Sequence, residues 1–258
     1  MIGVILSYLK TKFILRFSRT CKNNLILSKY IKNITICWKE EIYAYNFDML
    51  NKIEILHLSS NKFINSNKTY EILSEKCIYT LKTFVVIGYE NGTSLLLYNI
   101  LKNNKKTLKN LTYYSKVTPC IKVNDIDINI FDTELKHMIN LEYLHIKIDN
   151  HTNHFKFDLS KLKYLWSIVL EIENFVLQSF DFLPTSIRFL KIKCNYYTNI
   201  YQNIITFKNL ERIYISDNVD NFKLFNFCKI NKIIMEITNK EDVIISETNP
   251  NFNHDFCL

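Results

Sequence analysis

Asp149, His151 and His154 stand two and three residues apart in the segment IDNHTNH. A carboxylate with two imidazoles at that spacing has the chemistry to hold zinc, and the three would lie on one turn of chain. A closed zinc site takes four ligands, however, and no fourth accompanies them. Asparagine-rich loops of this kind also gather histidine by composition alone, so no metal site is expected. Cysteine offers no better nucleophile or ligand. The seven cysteines (Cys21, Cys37, Cys77, Cys120, Cys194, Cys228 and Cys257) are scattered and form no CxxC pair. That pattern suggests neither a zinc knuckle nor a disulfide framework, and none of them sits at a recognisable nucleophile elbow or helix start. Gly3, Gly88 and Gly92 are the chain's three glycines and cannot build GxGxxG or GxxxxGK[ST] in any register. Rossmann and P-loop nucleotide chemistry are thereby excluded. No catalytic residue and no cofactor is expected, and the chain reads as non-enzymatic.

The residues that remain have the chemistry of recognition, and their grouping depends on the elements that carry them. Four stretches read almost interchangeably: 53–63 (IEILHLSSNKF), 141–151 (LEYLHIKIDNH), 187–197 (IRFLKIKCNYY) and 210–220 (LERIYISDNVD). Each places an aliphatic residue at its first, fourth and sixth positions, and three of the four put asparagine at the ninth. Taking the first position as marker, the series runs Ile31, Ile53, Leu81, Leu108, Leu141, Leu165, Ile187, Leu210 and Ile230. The spacings are 22, 28, 27, 33, 24, 22, 23 and 20 residues, mostly within the span of about 20–29 residues of a strand-plus-return repeat. Between Leu81 and Leu141 the phase is loose, and Val123-x-x-Ile126-x-Ile128 offers a competing strand. Because alternate side chains of a strand face opposite ways, the fourth and sixth positions enter the core together. The third, fifth and seventh then share the opposite face. The ninth-position Asn61, Asn195 and Asn218 turn the chain out of the strand, their amides satisfying loop backbone.

The returns between strands should be partly helical. Segments 69–78, 93–101 and 132–139 carry apolar residues at helical spacing. Later, shorter returns such as that from Phe157 through Leu159 to Leu162 have room only for a turn or a 3₁₀ segment. Exposed repeat ends need covering. Residues 1–30, with Ile2, Phe13, Leu15 and Phe17, read as an N-terminal cap. Residues 31–245 read as an array of about nine units, and 246–258 as a polar tail.

These units resemble the leucine-rich repeat family over about residues 31 to 237, most closely from Leu141 onward. The stretch from Phe182 through Leu183-Pro184-Thr185-Ser186 to Ile192, with Asn195 and Tyr197, is similar to one FNIP repeat. The Ile/Asn/Lys bias with irregular repeats is similar to the leucine-rich repeat proteins of insect poxviruses. The resemblance implies an α/β leucine-rich-repeat solenoid with a parallel concave β-sheet and a convex side of mixed helix, 3₁₀ turn and loop. It also implies that a protein partner binds the concave face without catalysis, as a viral or effector-like protein would.

On that face the phase groups Tyr143, His145, Lys147, Phe189, Lys191, Lys193, Arg212 and Tyr214. Aromatic and arginine side chains are the usual anchors of an interface. The alternative is a nucleic-acid-binding surface, since lysine interleaved with tyrosine and phenylalanine suits single strands through charge and stacking. The net charge of +8 arises from interspersed Lys and Glu rather than blocks, which reads as a solvated repeat surface. The N-terminal apolar run is too short for a signal peptide, and no apolar stretch is long enough to span a membrane. With the scattered cysteines, this suggests an intracellular, monomeric protein.

Overall fold

A computed structural model describes residues 33–37, 53–59, 79–88, 93–115, 125–148, 158–172, 176–177, 180–193, 196–197, 204, 206–216 and 222–238. Segments rich in Ile, Val, Tyr, Phe and Thr, the residues suited to a pleated surface, form its strands. In chain order these are β1 (Asn33–Cys37), β2 (Ile55–Ser59), β3 (Thr83–Gly88), β4 (Asn110–Ser115), β5 (Tyr143–Ile148), β6 (Ser167–Ile172), β7 (Val176–Leu177), β8 (Phe189–Lys193), β9 (Tyr196–Tyr197), β10 (Arg212–Ser216) and β11 (Ile234–Thr238). Nine of them form one parallel sheet, β1-β2-β3-β4-β5-β6-β8-β10-β11, so spatial order follows chain order. The short β7 and β9 pair in parallel as a separate two-stranded sheet.

The register is regular. Asn33, Ile55, Thr83, Asn110, Tyr143, Ser167, Phe189, Arg212 and Ile234 align across the sheet. Three buried rows follow. The first positions Ile53, Leu81, Leu108, Leu141, Leu165, Ile187 and Leu210 are buried. The fourth positions Leu56, Phe84, Leu111, Leu144, Ile168, Leu190 and Ile213 are each 0% exposed. The sixth, from Leu58 through Tyr113 to Ile215, are buried too. Two backbone motifs recur with the same period. From Glu54 to Arg188, the carbonyl at position two accepts the N–H groups of positions two and three of the next unit. Leu108, Leu141, Leu165, Ile187 and Leu210 each enter their strand through a tight turn, donating to a carbonyl three or four residues back.

The returns lie between these strands. Helix α1 (Thr93–Asn103) joins β3 to β4 and buries Leu96, Leu97, Ile100 and Leu101. Helix α2 (Asp125–Glu134) precedes a 3₁₀ turn at Leu135–His137 and packs against α1. The competing strand at Val123–Ile128 is therefore overturned, since Ile126 and Ile128 lie in α2. Helix α2 and the 3₁₀ turn after it bury Phe131, Leu135 and Met138, spaced four and three apart and all 0% exposed, the spacing of a helical rather than a strand face. The helix expected over 132–139 is instead the end of α2 and the 3₁₀ turn. Ahead of β8 and β10 the described returns are turns around 181–186 and 206–209.

The last unit departs from the expected phase. Ile230 ends helix α3 (Phe222–Ile230) and is 79% exposed rather than leading a strand. Ile233 N–H reaches Cys228 O at 2.8 Å and Lys232 N–H reaches Lys229 O at 3.4 Å. Lys232 holds a φ of 57°. That is the left-handed stop of a Schellman motif, with Ile233 and Cys228 as its buried apolar pair. It delays the strand by two residues, so Ile234 and Glu236 replace Lys232 and Ile234 at positions three and five. A shift of two leaves every side chain on its expected face.

The expected cap, tail, helix at 69–78 and ninth-position Asn61, Asn195 and Asn218 lie outside the described residues, as do Asp149, His151 and His154. No described helix is long and apolar enough to cross a membrane.

Candidate functional site

Positions three, five and seven of successive strands share the sheet face opposite the core. β5 brings Tyr143, His145 and Lys147 to it, β8 brings Phe189, Lys191 and Lys193, and β10 brings Arg212 and Tyr214. β6 stands between β5 and β8 with Ser167, Val169 and Glu171. All eight residues grouped from the sequence thus share one face, in two blocks divided by β6.

The β5 block is a closed polar cluster. His145 is 8% exposed. Its Nδ1 lies 3.0 Å from Tyr114 Oη and 3.3 Å from Tyr143 Oη, and the Tyr114 ring meets the imidazole edge-on at 4.6 Å. One phenol can donate to Nδ1, fixing the neutral ring with its proton on Nε2. That nitrogen is enclosed and has no partner among the described residues. Burial pushes the His145 pKa down to about 4; Glu171 opposes this, and Lys191 and Lys147 add to it. His145 therefore sits beneath the surface and positions Tyr114 and Tyr143.

Glu171 ties the two blocks together. Its carboxylate is 3.0 Å from Lys191 Nζ and 3.4 Å from Lys147 Nζ. Burial raises the carboxyl pKa, but the charge and hydrogen bond of Lys191, with His145 and Lys147, outweigh it and hold it below the usual range. Neither Tyr114 nor Glu171 stood out in the sequence. The signal was the strand register, which sets them beside His145 and the lysines.

The β8–β10 block is more open. Phe189 and Tyr214 tilt together with ring centroids 5.4 Å apart. Arg212 Nη1 donates to Tyr214 Oη at 3.3 Å. Burial, a hydrogen bond to Glu236 and that carboxylate's charge raise the Tyr214 pKa. Lys193 is exposed at the end of β8.

A second surface runs along the edge where strands begin. Position two carries cross-strand ion pairs: Lys82–Glu54 at 2.9 Å, Lys109–Glu142, and Arg188–Glu211 at 2.7 Å. Trp166, 43% exposed, interrupts this ladder, with Tyr164 beside it at 63%. A recess of about 390 Å³ lies on the same edge, lined by Ser186, Arg188, Lys208 and Glu211. Its principal charges are already paired as Arg188–Glu211. Among the described residues, no three His, Cys, Asp or Glu side chains converge as a metal site would require. Cys228 is buried, and that burial pushes its thiol pKa up to about 11, away from the reactive thiolate. In comparisons with known proteins, no family model and no curated sequence matches this chain.

Proposed function

We propose that the chain is a leucine-rich-repeat solenoid that binds a protein partner, without catalysis, on the exposed face of its parallel sheet. The repeat reading draws on the three buried rows, the recurring acceptor at position two and the turn before each strand. The observation that carries the binding reading is the Phe189–Tyr214 pair, held half-buried beside Arg212, with Lys193 further along the same continuous strand surface. Tyr143 on β5 lies two strands from β8, so with strands about 4.8 Å apart the aromatic group spans roughly 15 Å. Such a surface buries apolar area while its cations orient the partner. His145 sits below this patch, and Lys147 and Lys191 border it through Glu171.

The test is photo-crosslinking in host-cell extract. A benzoylphenylalanine replacing Phe189 should capture one discrete partner, and the same group replacing Tyr164 on the strand-entry edge should not. Capture from the Tyr164 position alone would move the binding surface to the edge.

A further inference from the structure

We infer that the β8–β10 end of this face takes an extended acidic segment of a protein, bearing two carboxylates about four residues apart with an apolar side chain midway. The inference rests on reading the sheet face as the binding surface, and it specifies the partner's chemistry.

The face divides sharply by charge. At positions three, five and seven, β2, β3 and β4 carry no Lys, Arg, Asp or Glu. From β5 onward the same positions carry Lys147, Lys191, Lys193 and Arg212 against Glu171 and Glu236. Most of these charges are already used. Glu171 takes Lys147 and Lys191, and Glu236 stands in register beside Tyr214. Lys193 and Arg212 are left over: among the described residues neither has an acid within pairing distance, and Arg212 gives a single N–H to a phenol.

Their spacing sets the ligand's geometry. Arg212 is level with Phe189, and Lys193 lies four residues further along β8. Four residues of strand span about 13 Å. An extended ligand matches that distance between its residues i and i+4, which share one face with i+2. Residue i+2 then falls level with Lys191 and Tyr214, over the Phe189–Tyr214 ring pair. A single-stranded nucleic acid suits this surface less well. Its phosphate track needs a run of unpaired cations, whereas Glu171 pairs with two of the four here and Glu236 adds another carboxylate to the face.

Fluorescence anisotropy on the full chain tests this with a labelled peptide, Ser-Glu-Thr-Leu-Thr-Glu-Ser, its counterpart with both glutamates replaced by glutamine, and decathymidylate. The glutamate peptide should bind at least about tenfold more tightly than the glutamine peptide. The K193Q/R212Q variant should erase that difference with an unchanged melting temperature. Equal affinity for the two peptides, binding of neither, indifference to K193Q/R212Q, or tighter binding of decathymidylate would each overturn the inference. If the peptide fails while crosslinking at Phe189 persists, only the acidic segment is wrong. If crosslinking fails as well, the face itself is.

Discussion

An imidazole enclosed on a sheet face must satisfy two nitrogens, and His145 does so through Tyr114 and Tyr143 for one of them alone. Its pH behaviour follows. The folded pKa of about 4 lies below the ordinary value of 6.5, so between those values the unfolded chain binds more protons. Stability is therefore fully present above pH 6.5 and falls as pH drops toward 4, by about 3 kcal/mol. Glu171, held below its usual range by the two lysines, adds loss in the same direction at lower pH. His145→Gln should flatten the melting-temperature profile between pH 6.5 and 4, and an unchanged slope in that variant would contradict the account. Sequence phase placed His145 on the correct face but counted it as a surface contact. Its burial depends on phenols from two strands closing over it, which one strand's pattern does not disclose.

Strands and returns differ in how much of them periodicity reveals. Rows at positions one, four and six were readable because alternation and a common spacing reinforce each other. Leu190 and Arg188 show the contrast. Leu190 is 0% exposed between Ile168 and Ile213, so Leu190→Ala should cost about 2–5 kcal/mol. Arg188 is exposed and its pair with Glu211 is a surface one, so Arg188→Ala should cost under about 1 kcal/mol. Equal losses by chemical denaturation would show the rows to be misassigned. Returns were harder to read because a single polar residue can organise them. Asn104 is 0% exposed; its carboxamide accepts Leu81 N–H at 2.9 Å and donates to Ile100 O at 2.9 Å. It joins the end of α1 to the entry of β3, so Asn104→Ala should destabilise by about 1–3 kcal/mol. An exposed-loop value near zero would refute that role. Lys232 misled the phase of the last strand because its left-handed conformation is usually marked by glycine. Lys232→Gly should raise stability by about 0.5–1 kcal/mol, and a loss in denaturation midpoint would argue against the Schellman stop.

Across the whole molecule, nine strands in chain order let one repeat rule extend along the sheet. The same order divides its face into a neutral half and a charged half. The neutral half, with Val85 and Thr83 buried, adds shape without fixed charge. The charged half combines paired lysines, an aromatic pair and two cations with no acid in pairing distance among the described residues, the features on which the proposed partner binding rests. Position lists from the sequence contained these residues, but which charges cancel depends on cross-strand distances that only the register supplies. The most direct test of the proposed binding face is the dissociation constant of the purified, crosslink-identified partner, measured by calorimetry against three forms of the protein. Phe189→Ala with Tyr214→Ala should weaken binding at least about a hundredfold, as loss of two anchors would, without lowering the folded fraction at the assay temperature. Tyr79→Ala with Tyr164→Ala, both exposed and off this face, should bind as the unmodified chain does. Unchanged affinity in the first double variant, or a loss confined to the second, would contradict the account.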